Sequence, residues 1–549
     1  MSNEFRHAVA SFDPTETSVL LWTRLGGDAT SAELVVAADP NFDDVVTQRA
    51  VVTDRERDHT IVVDVGGLDP ATTYWYRFSV GNVHSPVGRT RTLPAAPVER
   101  FHLGLVCCAR YSVAPLGVYR ALAEREVDLV LHLGDYIYED DGAKGPRPHR
   151  PPRTAVTLDD YRQRLAQVRE DPDAQALHLR HPMTTIWDDH DLSDNAWRDG
   201  AKHHDAQRHG PWAVRAAAAA RARQEWLPAR LRDPNDSRVT WRSMIVGDLA
   251  ELLLLDTRLT GRDRQAGDGV GPGLHDPARS LLGDAQREWL RPRLLDTSRP
   301  WAVVASGVVV NELELPLPRP MSRVNALLPN GYAIIDDRVL HDDQWDGYPA
   351  ERVRLTAWMA ERGNANGRTI LLSGDVHSSW AFLGPCDTSG APVAVEFTAP
   401  AVSSAAMGRA HYPGLWRVLD RAADDMDHVV WADVTERGYA LLELTPDAAT
   451  VEWWFAHPYD EDPAATAVPA AAFVTRRATW PPQLEPADGA IVDPTRPGSP
   501  EPLPRRPADL GRLRMRRQLR LAAELSCAVA AATGPLLVRQ LLRRRRNPR

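Results

Sequence analysis

The sequence predicts an α/β protein, centred on a sheet with helices on its faces and preceded by a small all-β sandwich domain. Three observations carry this. Near-continuous apolar runs such as DLVLH, AELLLL, AVVAS and TILLS read as strands buried on both faces. These runs alternate with helical patterns from about residue 97 to residue 480. Before Pro94-Ala95-Ala96-Pro97 the pattern consists only of short strand-like runs separated by turn residues. The expected organisation is therefore a β-sandwich over 1–96, a catalytic α/β domain over 97–480, and a proline-rich linker with an Arg-rich helical tail over 481–549.

In the first region SVLLWTRL, AELVVAA, HTIVVDVGGL and TTYWYRFSV supply the strands. Leu68, Pro70, Thr72, Tyr74 and Tyr76 form an L-x-P-x-T-x-Y-x-Y series like that near the end of fibronectin type III domains. FHLGLVCCAR then reads as an apolar strand, and PLGVYRALAERE as a helix leading into Asp128, which makes a βαβ unit. The stretch from Asp140 to Arg153 is rich in Pro, Arg and Gly and reads as a loop over the strand ends, followed by helices at Leu158 to Glu170 and Ala213 to Leu227. DDQWDGYPAERVRLTAWMAERG supplies a turn and an amphipathic helix. From Trp480 to Pro507 proline is dense, and the chain closes on a helical pattern ending RRRRNPR.

Composition narrows the function classes. The 549 residues suffice for two or three domains, and 43% hydrophobic with 25% charged residues is ordinary for a soluble protein. A net charge of −9 provides no general basic field for nucleic acid. Lysine occurs only at Lys144 and Lys202, so isolated arginines reflect a chain-wide bias. Four cysteines do not make a disulfide framework for a chain of this size, and Cys108 reads instead as a thiolate ligand. The first residues lack a basic region followed by an apolar run, so the expected location on the sequence as given is cytoplasmic. For the tail the expectation is a basic helix docked on this acidic protein, with anionic membrane contact as the alternative.

Four strand ends concentrate the chemistry. DLVLHLGDYIYE ends in Gly134-Asp135, and Tyr138 follows three residues later, so a turn can aim a carboxylate and a phenolate at one point. Taken alone, the motif also fits a strand, a polar turn and a packed tyrosine. FHLGLVCCAR places Cys108 at the like end of the neighbouring strand, MTTIWDDHD ends in Asp188, Asp189, His190 and Asp191, and TILLSGDVHSSW ends in Asp375 and His377. Buried carboxylates repel one another by roughly several kcal/mol unless a cation sits among them. A metal cluster is the economical account of all four segments.

Together FRHAVASFDPTETSVLLWTRL, the CC-to-GDYIYE unit, WDDHD, LLLLDTR, DQWDGYP and LLSGDVHSSWAF resemble the PhoD-type alkaline phosphatases over roughly residues 5 to 460. That family joins a fibronectin-like domain to a calcineurin-like metallophosphoesterase core. The resemblance implies Fe(3+) with Ca(2+), held by Cys108, Asp135, Tyr138, Asp375 and His377, with Asp189 and Asn195 as further ligands. Phenolate, carboxylate and thiolate suit a ferric ion, and carboxylate and amide oxygens suit calcium. His190 is the candidate base or leaving-group acid, or else an orienting group for Asp189.

Three departures from the family pattern bear on the site. Ser-Cys-Gln-Asn becomes Cys107-Cys108-Ala109-Arg110, which brings Arg110 to the phosphate pocket; DDHE becomes DDHD at Asp191; and Phe12 replaces a small residue in HAVASFDP. Trp345 and Tyr348 are read as packed aromatics, with pocket lining as the alternative. The expected activity is metal-dependent hydrolysis of phosphate monoesters, with diesters as a further substrate class. The rival readings are a phosphodiesterase of the same fold, phospholipase D-like, and a non-catalytic metal-binding module. The family is usually exported, in contrast to the expectation from the first residues.

Overall fold

The computed structural model describes residues 3–142, 145–268, 273–313, 333–335, 338–407 and 426–487. Of the linker and Arg-rich tail expected over 481–549, residues 488–549 lie outside the described residues, as does the membrane contact considered for the tail; within the described part, Glu485–Pro486 pairs antiparallel with the strand Val468–Arg476. No helix among the described residues is long and apolar enough to cross a membrane.

Two large sheets form the centre. In one, the parallel strands Phe101–Val106, Leu129–His132 and Met183–Thr185 are flanked on one side by the antiparallel strands Gly438–Leu444, Ala448–Phe455 and Val468–Arg476. The other carries Ala250–Leu254, Trp301–Ala305, Arg368–Ser373 and Val395–Thr398 as parallel neighbours. Their inner faces meet in one apolar core that includes Leu103, Leu105, Leu131, Leu252, Val303, Leu372 and Phe397, all buried. Burial on both faces is why these strands read as unbroken apolar runs.

Helices cover the outer faces. Leu158–Arg169, Pro172–Arg180 and Trp212–Trp226 pack through Leu165, Leu177 and Trp226 over the first sheet. Gly283–Leu295 and Pro349–Asn364 pack through Leu290, Leu355 and Met359 over the second. The helix expected from Leu158 to Glu170 starts on the Thr157/Asp160 capping box and ends at Glu170, and the Asp171 carboxylate then starts the next helix with Pro172 at its first position. Trp345 and Tyr348 belong to the core under the second sheet, fully buried, as packed aromatics.

The N-terminal region is all-β, but its strands divide between two sheets. Ser31–Ala37, Val45–Val52, Thr73–Val80, Val83–His84 and Gly88–Arg91 make a sheet of their own. Val9–Phe12, Ser18–Arg24 and Thr60–Gly66 instead extend the first large sheet, joined at Phe12 opposite Met183 in parallel register. The sheet thus runs across the boundary expected at 96/97, and the residue after the joint is anchored by charge. Asp13 accepts from Arg242 at 2.7 and 2.8 Å, from Thr184 Oγ1 at 2.6 Å and from the Arg230 backbone N–H at 2.8 Å. Burial opposes its charge, but the Arg242 guanidinium and these hydrogen bonds hold the carboxyl below its ordinary range.

A second junction lies at the surface, where Arg6 Nη2 is 3.1 Å and His7 Nε2 3.4 Å from the Glu170 carboxylate, with Arg150 also paired to it. Although burial works against the charge, His7, Arg150 and Arg6 bring the Glu170 pKa down to about 2.

Two outcomes are expected. Asp13→Asn leaves Arg242 buried without its partner and costs about 3–5 kcal/mol in urea unfolding, most of which the apolar double variant Asp13→Leu/Arg242→Met recovers. Because the Glu170 pKa is depressed, its contribution is full above the ordinary glutamate pKa of about 4.3 and is lost as pH falls toward 2. Glu170→Gln is therefore less stable than the parent at pH 7, and the gap between the two unfolding curves closes on acidification below pH 4.

Candidate metal centre

The candidate ligands sit where strands end and the backbone turns left-handed. Cys108 follows Phe101–Val106 with φ +59°, Asp135 follows Leu129–His132 with φ +58°, and Asp375 and His377 follow Arg368–Ser373 with φ +64° and +52°. Such φ values are uncommon for residues with a Cβ, and each costs on the order of 1–3 kcal/mol unless its surroundings over-determine it. Two glycines make room. A Cβ on Gly134, itself at φ +105°, would lie 2.5 Å from Asp188 Cβ, and one on Gly307 would lie 2.8 Å from Asp188 Oδ1. Alternation along a strand would send neighbouring side chains to opposite faces; these turns aim them at one point instead.

Three groups of side chains offer ligand atoms within 4.8 Å of one another: Cys108, Asp135 and His377; Asp135, Asp189 and His190; and Asp135, Asp188, Asp189 and Asp375. Asp135 belongs to all three. The phenolic oxygen of Tyr138 lies 2.9 Å from His377 Nε2, the separation of two donors each about 2.1 Å from one ion at a right angle. The structure thus brings together Cys108, Asp135, Tyr138, Asp189, His190, Asp375 and His377. Asn195 stands beside them at φ +50°, and its backbone N–H donates to Asp189 Oδ2 at 2.6 Å.

Electrostatics shows what the cluster lacks. Burial first, then Asp189, Asp188 and Asp191, push the Asp135 carboxyl well up, with His190 acting against them. Asp375 rises to about 7, driven by burial and by Asp189 and Asp343 despite the opposing Arg258. Cys108 is raised by burial, Cys107 and the same carboxylates. His190 moves up although burial lowers it, because Asp189, Glu139 and Asp135 surround it. Asp135 Oδ2, Asp188 Oδ2 and Asp189 Oδ1 are buried without a hydrogen-bond donor. Sulfur, nitrogen and oxygen donors with orphaned carboxylate oxygens fit metal cations, whose charge reverses every one of these shifts.

Side chains around the donors hold them in place. Arg258, fully buried, pairs with Asp188, donates to Asp343 Oδ2 at 2.7 Å, and brings Nη2 within 3.6 Å of Asp189 and 3.7 Å of Asp375. Asp191, one carbon shorter than the family's glutamate, is no member of the ligand groups. Its oxygens accept the backbone N–H groups of Asp135, Tyr136, Ile137 and Asp188 at 2.9–3.3 Å, which ties two strand ends together. Glu139 accepts from His190 Nδ1 at 2.8 Å and from the Asp194 N–H at 2.9 Å, and Gln344 donates to Asp375. Arg164 binds the carbonyls of Tyr138, Asp140, Arg150, Pro151 and Arg153, folding the loop after the phenol onto the site. Arg110 is partly exposed, pairs with Asp140 and sits 5.1 Å from the centre of the Tyr138 ring.

Motif reading missed the parts played by Arg258, Glu139, Asp191 and Gln344. For Arg258 a signal existed: LLLLDTR ends a buried strand with a cation at the level of the aspartates.

Comparison with known proteins follows the same lines. The family model for PhoD-like phosphatases matches residues 103–453, and the model for the N-terminal domain of that family matches residues 1–94. Alkaline phosphatase D of Bacillus subtilis (strain 168) is 30% identical over 505 residues, covering 87% of this chain and 81% of that protein. A solved structure of PhoD superposes with a TM-score of 0.76 at 27% identity, over 94% of this chain and 98% of that one. A purple acid phosphatase from yellow lupin (Lupinus luteus) seeds shares the fold, with a TM-score of 0.54 at 11% identity over 85% of this chain and 73% of that one. The chain therefore belongs to the PhoD-like phosphatase family and is a phosphoric ester hydrolase.

Proposed function

We propose that this phosphatase hydrolyses phosphate monoesters, and diesters to a lesser extent, at a centre where Asp135 and the donors around it would hold a ferric ion and calcium. The observation that carries this reading is the membership of Asp135 in all three ligand-capable groups. Cys108, Tyr138 and His377 would hold the ferric ion with it, since thiolate and phenolate donors suit a trivalent cation. Asp189, Asp375 and Asn195 would serve the calcium, which accepts additional carboxylate and amide oxygens. When bound, the cations supply Lewis acidity toward the phosphoryl oxygens and a nucleophile at neutral pH by acidifying water.

The chain's own residues supply the rest. Arg110 lies next to Tyr138 with its guanidinium at the open edge of the cluster, where it meets the non-bridging oxygens of the substrate. Asp140 keeps it there. Glu139 takes His190 Nδ1 and so fixes the ring, which leaves Nε2 as the nitrogen that serves the centre or passes a proton to the departing alkoxide. Arg258 limits the repulsion among Asp188, Asp189 and Asp375, keeping their oxygens convergent. No serine or threonine nucleophile is needed.

Metal analysis of the purified protein should find iron and calcium, and Asp135→Asn should lose both metal and activity. Loss of several kcal/mol of transition-state stabilisation corresponds to a drop of about 10³-fold or more in kcat. Fully active protein with stoichiometric zinc overturns the iron assignment, and near-normal turnover in Asp135→Asn places the cluster elsewhere. On a panel of esters, p-nitrophenyl phosphate is expected to exceed bis(p-nitrophenyl) phosphate in kcat/KM. The reverse order favours the phosphodiesterase reading.

A further inference from the structure

Ser404 reaches the centre from a distant part of the chain. It follows the strand Val395–Thr398, is fully buried, and its Oγ donates to the phenolic oxygen of Tyr138 at 2.8 Å. Its backbone N–H donates to the Cys108 carbonyl at 3.2 Å, beside that of Ser403 at 3.3 Å. Its own carbonyl accepts from Arg437 Nε at 2.6 Å, and residue 401 in the same segment bridges Cys107 in parallel register. One residue therefore touches the backbone of the sulfur donor and the donor atom of the phenol. Its hydroxyl is set by backbone contacts on both sides.

We propose that Ser404 is a positioning residue that hydrogen-bonds the Tyr138 phenolate and lowers its electron donation to the ferric ion. This rests on the iron reading given above. The phenolic oxygen thus has two polar neighbours, His377 Nε2 at 2.9 Å and the Ser404 hydroxyl at 2.8 Å. A hydrogen bond to an ionised oxygen is stronger than one between neutral groups. It draws charge from the oxygen, so the bound iron stays a better Lewis acid toward a phosphoryl oxygen. Tyr138 is 1% exposed. Water therefore does not replace a deleted hydroxyl, and the loss is felt in full.

The test is spectroscopic and uses the iron-loaded full-length enzyme. The phenolate-to-iron charge-transfer band of the parent is identified by its disappearance in Tyr138→Phe. In Ser404→Ala, at unchanged iron content, the band moves to longer wavelength and the iron midpoint potential becomes more negative, because an unrestrained phenolate donates more strongly. Ser404→Cys, with its weaker thiol donor, falls between the two. Ser403→Ala removes a hydroxyl that donates to the Arg110 carbonyl at 3.1 Å and leaves the band in place. A band in Ser404→Ala coincident with that of the parent, an equal shift in Ser403→Ala, or loss of iron from both Ser404 variants overturns the proposal. A colourless parent overturns the iron reading itself, and the proposal with it.

Discussion

The arrangement of this protein depends on the repulsion among buried carboxylates around Asp135. Asp135, Asp188, Asp189 and Asp375 bring oxygens within 4.8 Å of one another, and in a low-dielectric interior such groups cannot all carry charge unless cations stand among them. Among the described residues, Arg258 is the guanidinium that enters the cluster, and it is already committed to Asp188 and Asp343. Even with His190 drawn toward its protonated form by Asp189, Glu139 and Asp135, the four carboxylates outweigh the positive charge among them, and this is expressed in raised pKa values and in buried oxygens without donors. A metal cation among these donors would relieve the deficit.

The scaffold answers this requirement with rigidity. Two sheets share an apolar core, and Cys108 and Asp135 leave one of them while Asp375 and His377 leave the other. The centre thus lies where the two sheets meet at their strand ends, and relative movement of the sheets would pull the donors apart. Asp191 ties two strand ends of the first sheet by their backbone N–H groups, and Arg258 ties the second sheet to the aspartates of the first. The segment after Val395–Thr398 closes the join through Ser404 and the bridge from residue 401 to Cys107. Polar side chains lock the geometry that packing alone leaves loose.

The N-terminal region is part of this rigidity. Its first strand continues the catalytic sheet, and Asp13, in the sequence that departs from the family pattern at Phe12, is buried against Arg242 from the second sheet and Thr184 from the first. Phe12 itself is buried in the core under the outer helices, so the larger side chain is absorbed by packing and stays away from the cluster.

Much was legible in the sequence. Both the βαβ unit and the donor-rich strand ends follow from apolar runs that stop at Asp, Cys and His, because a strand buried on both faces has no other place for such groups. The aspartates of WDDHD could not be sorted by reading: Asp188 and Asp189 turn oxygens into the cluster while Asp191 turns back to cap the backbone. Three neighbours of identical chemistry differ only in the direction that the turn gives them, and direction is a tertiary property. The division of the N-terminal strands was equally closed to reading, since periodicity reports which face of a strand is buried and is silent on which strand lies beside it. Glu139, Arg258 and Ser404 matter through partners as many as 266 positions away in the chain. The residues determine by themselves that donors and strands exist; the folded chain decides which donors share a cation, because that depends on distances that no local pattern encodes.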